Sequence, residues 1–88
     1  MTKNLNVTVR LEPEVRRAVI ITAAITLANE NGLAAVTHDA VARSCSFKTT
    51  GRTVKHYFPR ISELWKAVVD DDRAHQTVVD EAVGMGIV

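Results

Sequence analysis

Residues 37 to 58, THDAVARSCSFKTTGRTVKHYF, have the pattern of two short helices joined by a turn. Thr37 is a hydroxyl residue of the type that caps the start of a helix. The segment from 45 to 50, CSFKTT, is polar and β-branched around Phe47, which predicts a turn with one hydrophobic plug. A second helix is predicted to begin near Thr50. The stretch therefore predicts a helix-turn-helix unit.

The second of these helices has two chemically different sides. Val54 and Phe58 are four residues apart and predict an inner face, and Pro59 ends the helix. The outward positions are expected to hold Arg52, Thr53, Lys55 and His56. In helix-turn-helix proteins the second helix enters the DNA major groove, where arginine bridges the two acceptors of guanine. The mixture of cations and hydroxyls suits a helix that reads this groove.

Charge is segregated along the chain, although the formal net charge is only +1. Residues 1 to 39 hold four basic and four acidic side chains, whereas residues 40 to 62 hold five basic side chains and no acid. Residues 63 to 88 hold two basic and six acidic side chains. A locally cationic surface attracts polyanions even on a nearly neutral protein.

The flanking segments complete the predicted organisation. Residues 5 to 12, LNVTVRLE, alternate apolar and polar, which predicts a half-buried strand or arm. A long helix is predicted from Glu14 to about Asn31, ended by Gly32, and a fourth helix from about Arg60, with polar positions continuing to Asp70 and Arg73. The predicted fold class is all-α, with about four helices. The predicted divisions are an N-terminal arm (1 to 12), a DNA-binding domain (13 to 80) and a flexible tail (81 to 88).

Length and composition exclude several classes. The 88 residues suffice for one domain with a modest core, and the longest apolar run is far shorter than the ~20 residues that cross a bilayer. Cys45 is the only cysteine and cannot form an internal disulfide, so a cytoplasmic location is expected. No nucleophile and base pattern, phosphate loop or metal-ligand spacing occurs, so no enzyme, cofactor or metal site is predicted.

From Arg17 to Leu64 the chain resembles the DNA-binding domain of the tetracycline-repressor (TetR) family. The matching features are the pair Ile20 and Ile21, AAITLANENG ending the first helix, Thr37 opening the second, the pair Val41 and Ala42, and TVKHYF followed six residues later by Leu64. The resemblance implies that Thr37 contacts a phosphate and that residues 49 to 57 carry base and backbone contacts.

The sequence departs from that family in four respects. The turn SCSFKTT has no glycine and is about two residues longer than usual. Lys55 stands where the family commonly has a phosphate-binding tyrosine, and Ile61 where it commonly has a lysine. The family's C-terminal ligand-binding and dimerising domain has no counterpart, so no small-molecule inducer is expected.

These observations together predict a sequence-specific transcription regulator that binds double-stranded DNA as a homodimer. Phosphate contacts are assigned to Thr37, Lys48, Thr49, Lys55 and Tyr57. Base contacts are assigned to Thr50, Arg52, Thr53 and His56.

Two alternatives remain open at the level of sequence. The segment NVTVRLEPEV is similar to the start of ribbon-helix-helix repressors, which implies that Asn6, Thr8 and Arg10 read bases or that the strand pairs with a second copy. The other alternative is a small protein-interaction module that binds and modulates another protein through the acidic, valine-rich residues 67 to 83.

Overall fold

A computed structural model describes residues 12 to 87, and within that range every regular element is helical. There are five α-helices and one 3-10 turn, Leu33–Ala35, which follows the first helix. The α-helices are α1 (Pro13–Asn31), α2 (His38–Ser44), α3 (Gly51–Tyr57), α4 (Ile61–Val69) and α5 (Gln76–Gly84). The predicted all-α class is confirmed, while the predicted N-terminal strand lies outside the described residues.

Helix α1 begins and ends on the signals that its sequence predicts. Pro13 occupies the first turn, where its missing N–H costs no hydrogen bond, and Glu14 places an anion at the positive end of the helix dipole. At the other end Gly32 has φ +95°, a backbone conformation that glycine adopts without strain. The Gly32 N–H donates to the carbonyl oxygen of Ala28 and closes the last turn.

Helix α1 is the central element of the core, because α2, α4, α5 and the 3-10 turn all pack against it. Helices α2 and α3 pack closely on one another. The fully buried side chains come from every helix, so the core is continuous. The largest of them are Ile20, Leu33, Val36, Val41, Val54, Leu64, Val68 and Val78.

The predicted extent of α4 needs correction at its C-terminal end. The helix ends at Val69, and Asp70 and Arg73, expected on its polar face, lie in the connection to α5. The carboxylate of Asp71 accepts a hydrogen bond from the Arg73 N–H at 2.9 Å. An aspartate that binds the backbone two residues ahead competes with the helical hydrogen-bond ladder and favours a turn.

Helix α5 was not predicted, and the boundary placed between residues 80 and 81 falls inside it. Val78 and Ala82 bury its inner face in the core. The stretch predicted as a flexible tail instead contains a helix C-cap: the N–H of Gly86, at φ +78°, donates to the carbonyl oxygen of Val83, and the N–H of Ile87 donates to that of Ala82. This pair of hydrogen bonds is the Schellman arrangement, in which a glycine reverses the chain and the following apolar residue packs back.

The structure describes no helix that has both the length and the apolar composition needed to cross a bilayer.

Candidate nucleic-acid interface

The predicted cap at Thr37 is formed, and Thr50, near which α3 was predicted to begin, caps that helix in the same way. The Thr37 hydroxyl accepts a hydrogen bond from the Ala40 N–H at 3.1 Å, and the Thr50 hydroxyl accepts from the Thr53 N–H at 3.3 Å. Both threonines are exposed. Each hydroxyl uses a lone pair for the cap, so its proton is still available to an outside acceptor such as a phosphate oxygen.

Helix α3 has the orientation that its sequence predicts. Val54 and Phe58 are buried, whereas Arg52, Lys55 and His56 are exposed. At 3.6 residues per turn these three exposed positions lie within an arc of about 100°. They therefore form one outward face, which we call the α3 face.

Thr53 and Tyr57 are half-buried and lie at the edge of this face. The ring of His56 meets the ring of Tyr57 edge to face, with centroids 5.7 Å apart. The contact limits the ring orientations of both residues. Of the two, His56 is exposed and Tyr57 is half-buried.

Among the described residues, neither Arg52 nor Lys55 of the α3 face forms an ion pair. Across residues 12 to 87 the single ion pair joins Arg73 and Asp71, which lie in the connection between α4 and α5. Lys48, in the turn before α3, is exposed and likewise outside that pair. Arg52, Lys55 and Lys48 therefore make no ion pair with the part of the chain that the structure describes.

Thr49 is placed differently from its neighbour Lys48. Its side-chain oxygen is buried and has no hydrogen-bond partner among the described residues. In this conformation the hydroxyl does not reach the surface, so the predicted phosphate contact of Thr49 requires the turn to move. Phe47, in the same turn, packs against the core as predicted.

Asp39 and Gly51 explain how closely α2 and α3 approach each other. A Cβ atom at position 51 would overlap the Oδ1 atom of Asp39 and lie 3.3 Å from its Cα. A side chain at the first residue of α3 would therefore displace the Asp39 carboxylate. The carboxylate of Asp39 also stands beside the N-terminal end of α3, where an anion is favourable.

The outer ends of the unit are held by hydrogen bonds between distant residues. The Nε2 atom of His38 lies 2.7 Å from the carbonyl oxygen of Phe58, and the indole nitrogen of Trp65 donates to the carbonyl oxygen of Val36 at 2.8 Å. A carbonyl oxygen only accepts, so His38 carries its proton on Nε2. The first contact joins the start of α2 to the end of α3.

Arg17 is a candidate interface residue that sequence reasoning missed. Its guanidinium carbon lies 4.9 Å from the centroid of the Phe58 ring, a cation–π contact at the C-terminal end of α3. Arg17 is exposed, so it places a cation at the C-terminal end of α3. No local signal in the sequence identifies it, because the contact joins α1 to a residue far along the chain.

Cys45 is the residue at which α2 ends, and its side chain is half-buried. Burial raises the pKa of the Cys45 thiol, because the charged thiolate is less well solvated there. The thiol form is therefore favoured at neutral pH, and the geometry gives this residue a packing role.

No family model, no curated protein and no solved structure matches this chain. The resemblance to the TetR family and the similarity to ribbon-helix-helix repressors accordingly remain predictions from the residues themselves.

Proposed function

We propose that the protein is a sequence-specific regulator of transcription that binds double-stranded DNA through α3. The observation that carries this proposal is the α3 face, on which Arg52, Lys55 and His56 point outward while Val54 and Phe58 hold the helix to the core. A helix that presents exposed cationic side chains is what the major groove accepts.

The charge distribution supports the same proposal. Residues 40 to 62 contain no acid, and they include α3, the turn before it and most of α2, whose one acid, Asp39, precedes this range. Duplex DNA attracts such a surface before any base is read, which speeds association. The acids of residues 63 to 88 belong mainly to the α4–α5 connection and α5.

The contacts divide into two chemical classes. Lys48, Lys55 and the cap hydroxyl of Thr37 are assigned to phosphates, because they are exposed cations or hydroxyl donors around the unit. Arg52 and His56 are assigned to base edges, with Thr50 and Thr53 beside them at the start of α3. A homodimer would place two such helices on half-sites about one helical turn apart.

The alternative of a protein-interaction module has less support. Val68 and Val78, from the valine-rich stretch that suggested it, are buried in the core. Val83 is the large apolar side chain that this stretch exposes. Little valine surface in this stretch is therefore accessible to a partner protein.

The experiment is selection of bound sequences from a random duplex library, followed by titration of the selected and random duplexes at two salt concentrations. Recovery of symmetric sites is expected. If each subunit contacts ~4 phosphates, the logarithm of the affinity should fall with a slope of about −3.6 per subunit against the logarithm of salt concentration. Failure to recover any enriched sequence, together with no binding at low salt, would overturn the proposal.

Three variants test the assignment of contacts. Arg52→Ala should weaken the selected duplex by about 1 to 3 kcal/mol and relax base preference, whereas Lys48→Ala should weaken all duplexes alike and reduce the salt slope by about 1. Arg52→Lys is the matched control, because it keeps the charge but loses the planar fork that pairs with guanine. It should retain affinity for random DNA and lose discrimination. Equal loss on selected and random DNA for Arg52→Ala and Lys48→Ala would contradict the division of roles.

A further inference from the structure

The C-terminal end of α5 creates a surface feature that DNA contact does not use. The Schellman cap at Gly86 turns the chain back, and Ile87 packs against the core. This reversal leaves a shallow open groove of about 410 Å³. Its walls are Ser62, Glu63 and Lys66 on α4, and Met85, Gly86 and Ile87 on the other side.

The groove lies where the molecule exposes apolar side chains. Three large apolar residues among those described are exposed: Val15, Val83 and Met85. Met85 lines the groove with 43% of its surface accessible, and Val83, at 56%, lies in the last turn of α5. Methionine adapts its shape to a partner surface more readily than branched side chains do. An exposed methionine beside the partly buried Ile87 gives the groove an apolar floor that a partner surface can cover.

The charges on the α4 wall indicate which partner fits. Glu63 and Lys66 are one helical turn apart and exposed, and neither belongs to the one ion pair found between residues 12 and 87. If a second α4 approaches antiparallel about a two-fold axis, Glu63 of each copy lies opposite Lys66 of the other. One patch then supplies both signs of charge, which is the self-complementarity that a two-fold interface requires.

We propose that the groove formed by α4 and the end of α5 is the contact between two copies of this chain. Met85 and the apolar edge of Ile87 form its centre, and two reciprocal pairs of Glu63 and Lys66 flank it. The biological role of this dimer rests on the proposed function, because two-fold pairing would present two α3 helices to a symmetric DNA site. Association of two copies requires only the groove and the charges of Glu63 and Lys66.

Charge reversal gives a test specific to this geometry. Glu63→Lys and Lys66→Glu each turn both reciprocal attractions into repulsions, so each variant alone should dissociate at protein concentrations higher by on the order of tenfold or more. A mixture of the two variants should form heterodimers, because every facing pair in the mixed complex is opposite in sign. The double variant Glu63→Lys/Lys66→Glu should pair like the original protein. Sedimentation of the full chain without DNA measures all four samples.

Matched controls separate pairing from folding. Met85→Ser should weaken the dimer, whereas Val15→Ser changes an exposed apolar residue on α1 and should leave it unchanged. Circular dichroism and thermal melting check that each variant is folded. The proposal would be overturned if the protein remains monomeric at all concentrations. It would also be overturned if neither charge reversal changes the dissociation of the dimer.

The same samples distinguish this inference from the proposed function. Glu63→Lys should still bind a duplex carrying one half-site, because its substitution lies outside the α3 face. Loss of pairing with half-site binding retained supports both proposals. Pairing that follows the charge pattern without any duplex binding would support the interface and refute the DNA-binding role.

Discussion

The ring nitrogen Nε2 of His38 donates a hydrogen bond to the carbonyl oxygen of Phe58 across 2.7 Å. His38 is the first residue of α2, and Phe58 is the residue at which α3 ends. The bond therefore joins the two outer ends of the helix-turn-helix unit. The Arg17 guanidinium also lies over the ring of Phe58. Phe58, at the end of α3, therefore contacts residues of both α1 and α2.

Replacing His38 should loosen the unit without unfolding the protein. His38→Ala removes the donor and leaves a half-buried carbonyl oxygen to find water, so we expect a loss of about 1 to 2 kcal/mol in the free energy of unfolding. Urea denaturation measures it. Ala34→Ser, an exposed change in the 3-10 turn outside the unit, is the control and should stay within about 0.5 kcal/mol. No loss in His38→Ala would show that the bond contributes nothing in solution.

Gly51→Ala should destabilise the α2–α3 pair through one identified neighbour. The new Cβ would overlap the Asp39 carboxylate, and relieving the overlap should cost about 1 to 3 kcal/mol, even though alanine is the better helix former.

A double-mutant cycle identifies Asp39 as the cause. In an Asp39→Ala background the cost of Gly51→Ala should fall by at least half, because the overlapping oxygen is gone. Chemical denaturation of the four proteins gives the coupling energy. Additive effects of the two substitutions would refute the close approach.

Asn29 holds the connection between α4 and α5 on α1. Its side chain donates to the carbonyl oxygen of Arg73 at 3.0 Å and accepts from the N–H of His75 at 2.9 Å. Asn29→Ala loses both bonds and should lower the free energy of unfolding by about 1 to 2 kcal/mol. Asn31→Ala, two residues further along α1 and exposed, makes no side-chain hydrogen bond in the described structure and is the control. Equal effects of the two changes would contradict the bridging role.

Acid should weaken the same connection through Asp71. Hydrogen bonds from the Arg73 side chain, followed by the bond from its backbone N–H, lower the pKa of Asp71. Because the folded pKa lies below the unfolded value of about 3.9, the contribution of Asp71 to stability is present above pH 3.9 and is lost as the pH falls through the folded pKa.

A pair of asparagine variants measures this pH dependence. Asp71→Asn should lose less stability than the original protein between pH 5 and pH 2, because it no longer has that carboxylate to protonate. Asp72→Asn, whose side chain makes no hydrogen bond in the described structure, should keep the original dependence. Thermal melts at several pH values provide the comparison. Parallel curves for Asp71→Asn and the original protein would exclude the predicted effect.

Local signals explain why much of the fold was predictable. The start of α2 at Thr37, the start of α3 near Thr50 and the end of α1 at Gly32 each depend on one residue and its immediate neighbours. The end of α5 was missed although its signal is also local. Gly86 followed by Ile87 is the glycine and apolar pair of a Schellman cap, whereas residues 81 to 88 were predicted to be a flexible tail.

The sequence by itself determined the helical class, the cap of α2, the start of α3, the inner face of Val54 and Phe58, and the acid-free segment that carries the candidate cations. These features arise from neighbours within one or two turns, which the order of residues specifies directly. Only the tertiary structure decided that Arg17 lies over Phe58, that Asp39 lies against Gly51, and that Glu63 and Lys66 line a groove with Met85. Such contacts join residues distant in the chain, and their geometry depends on how the whole core packs.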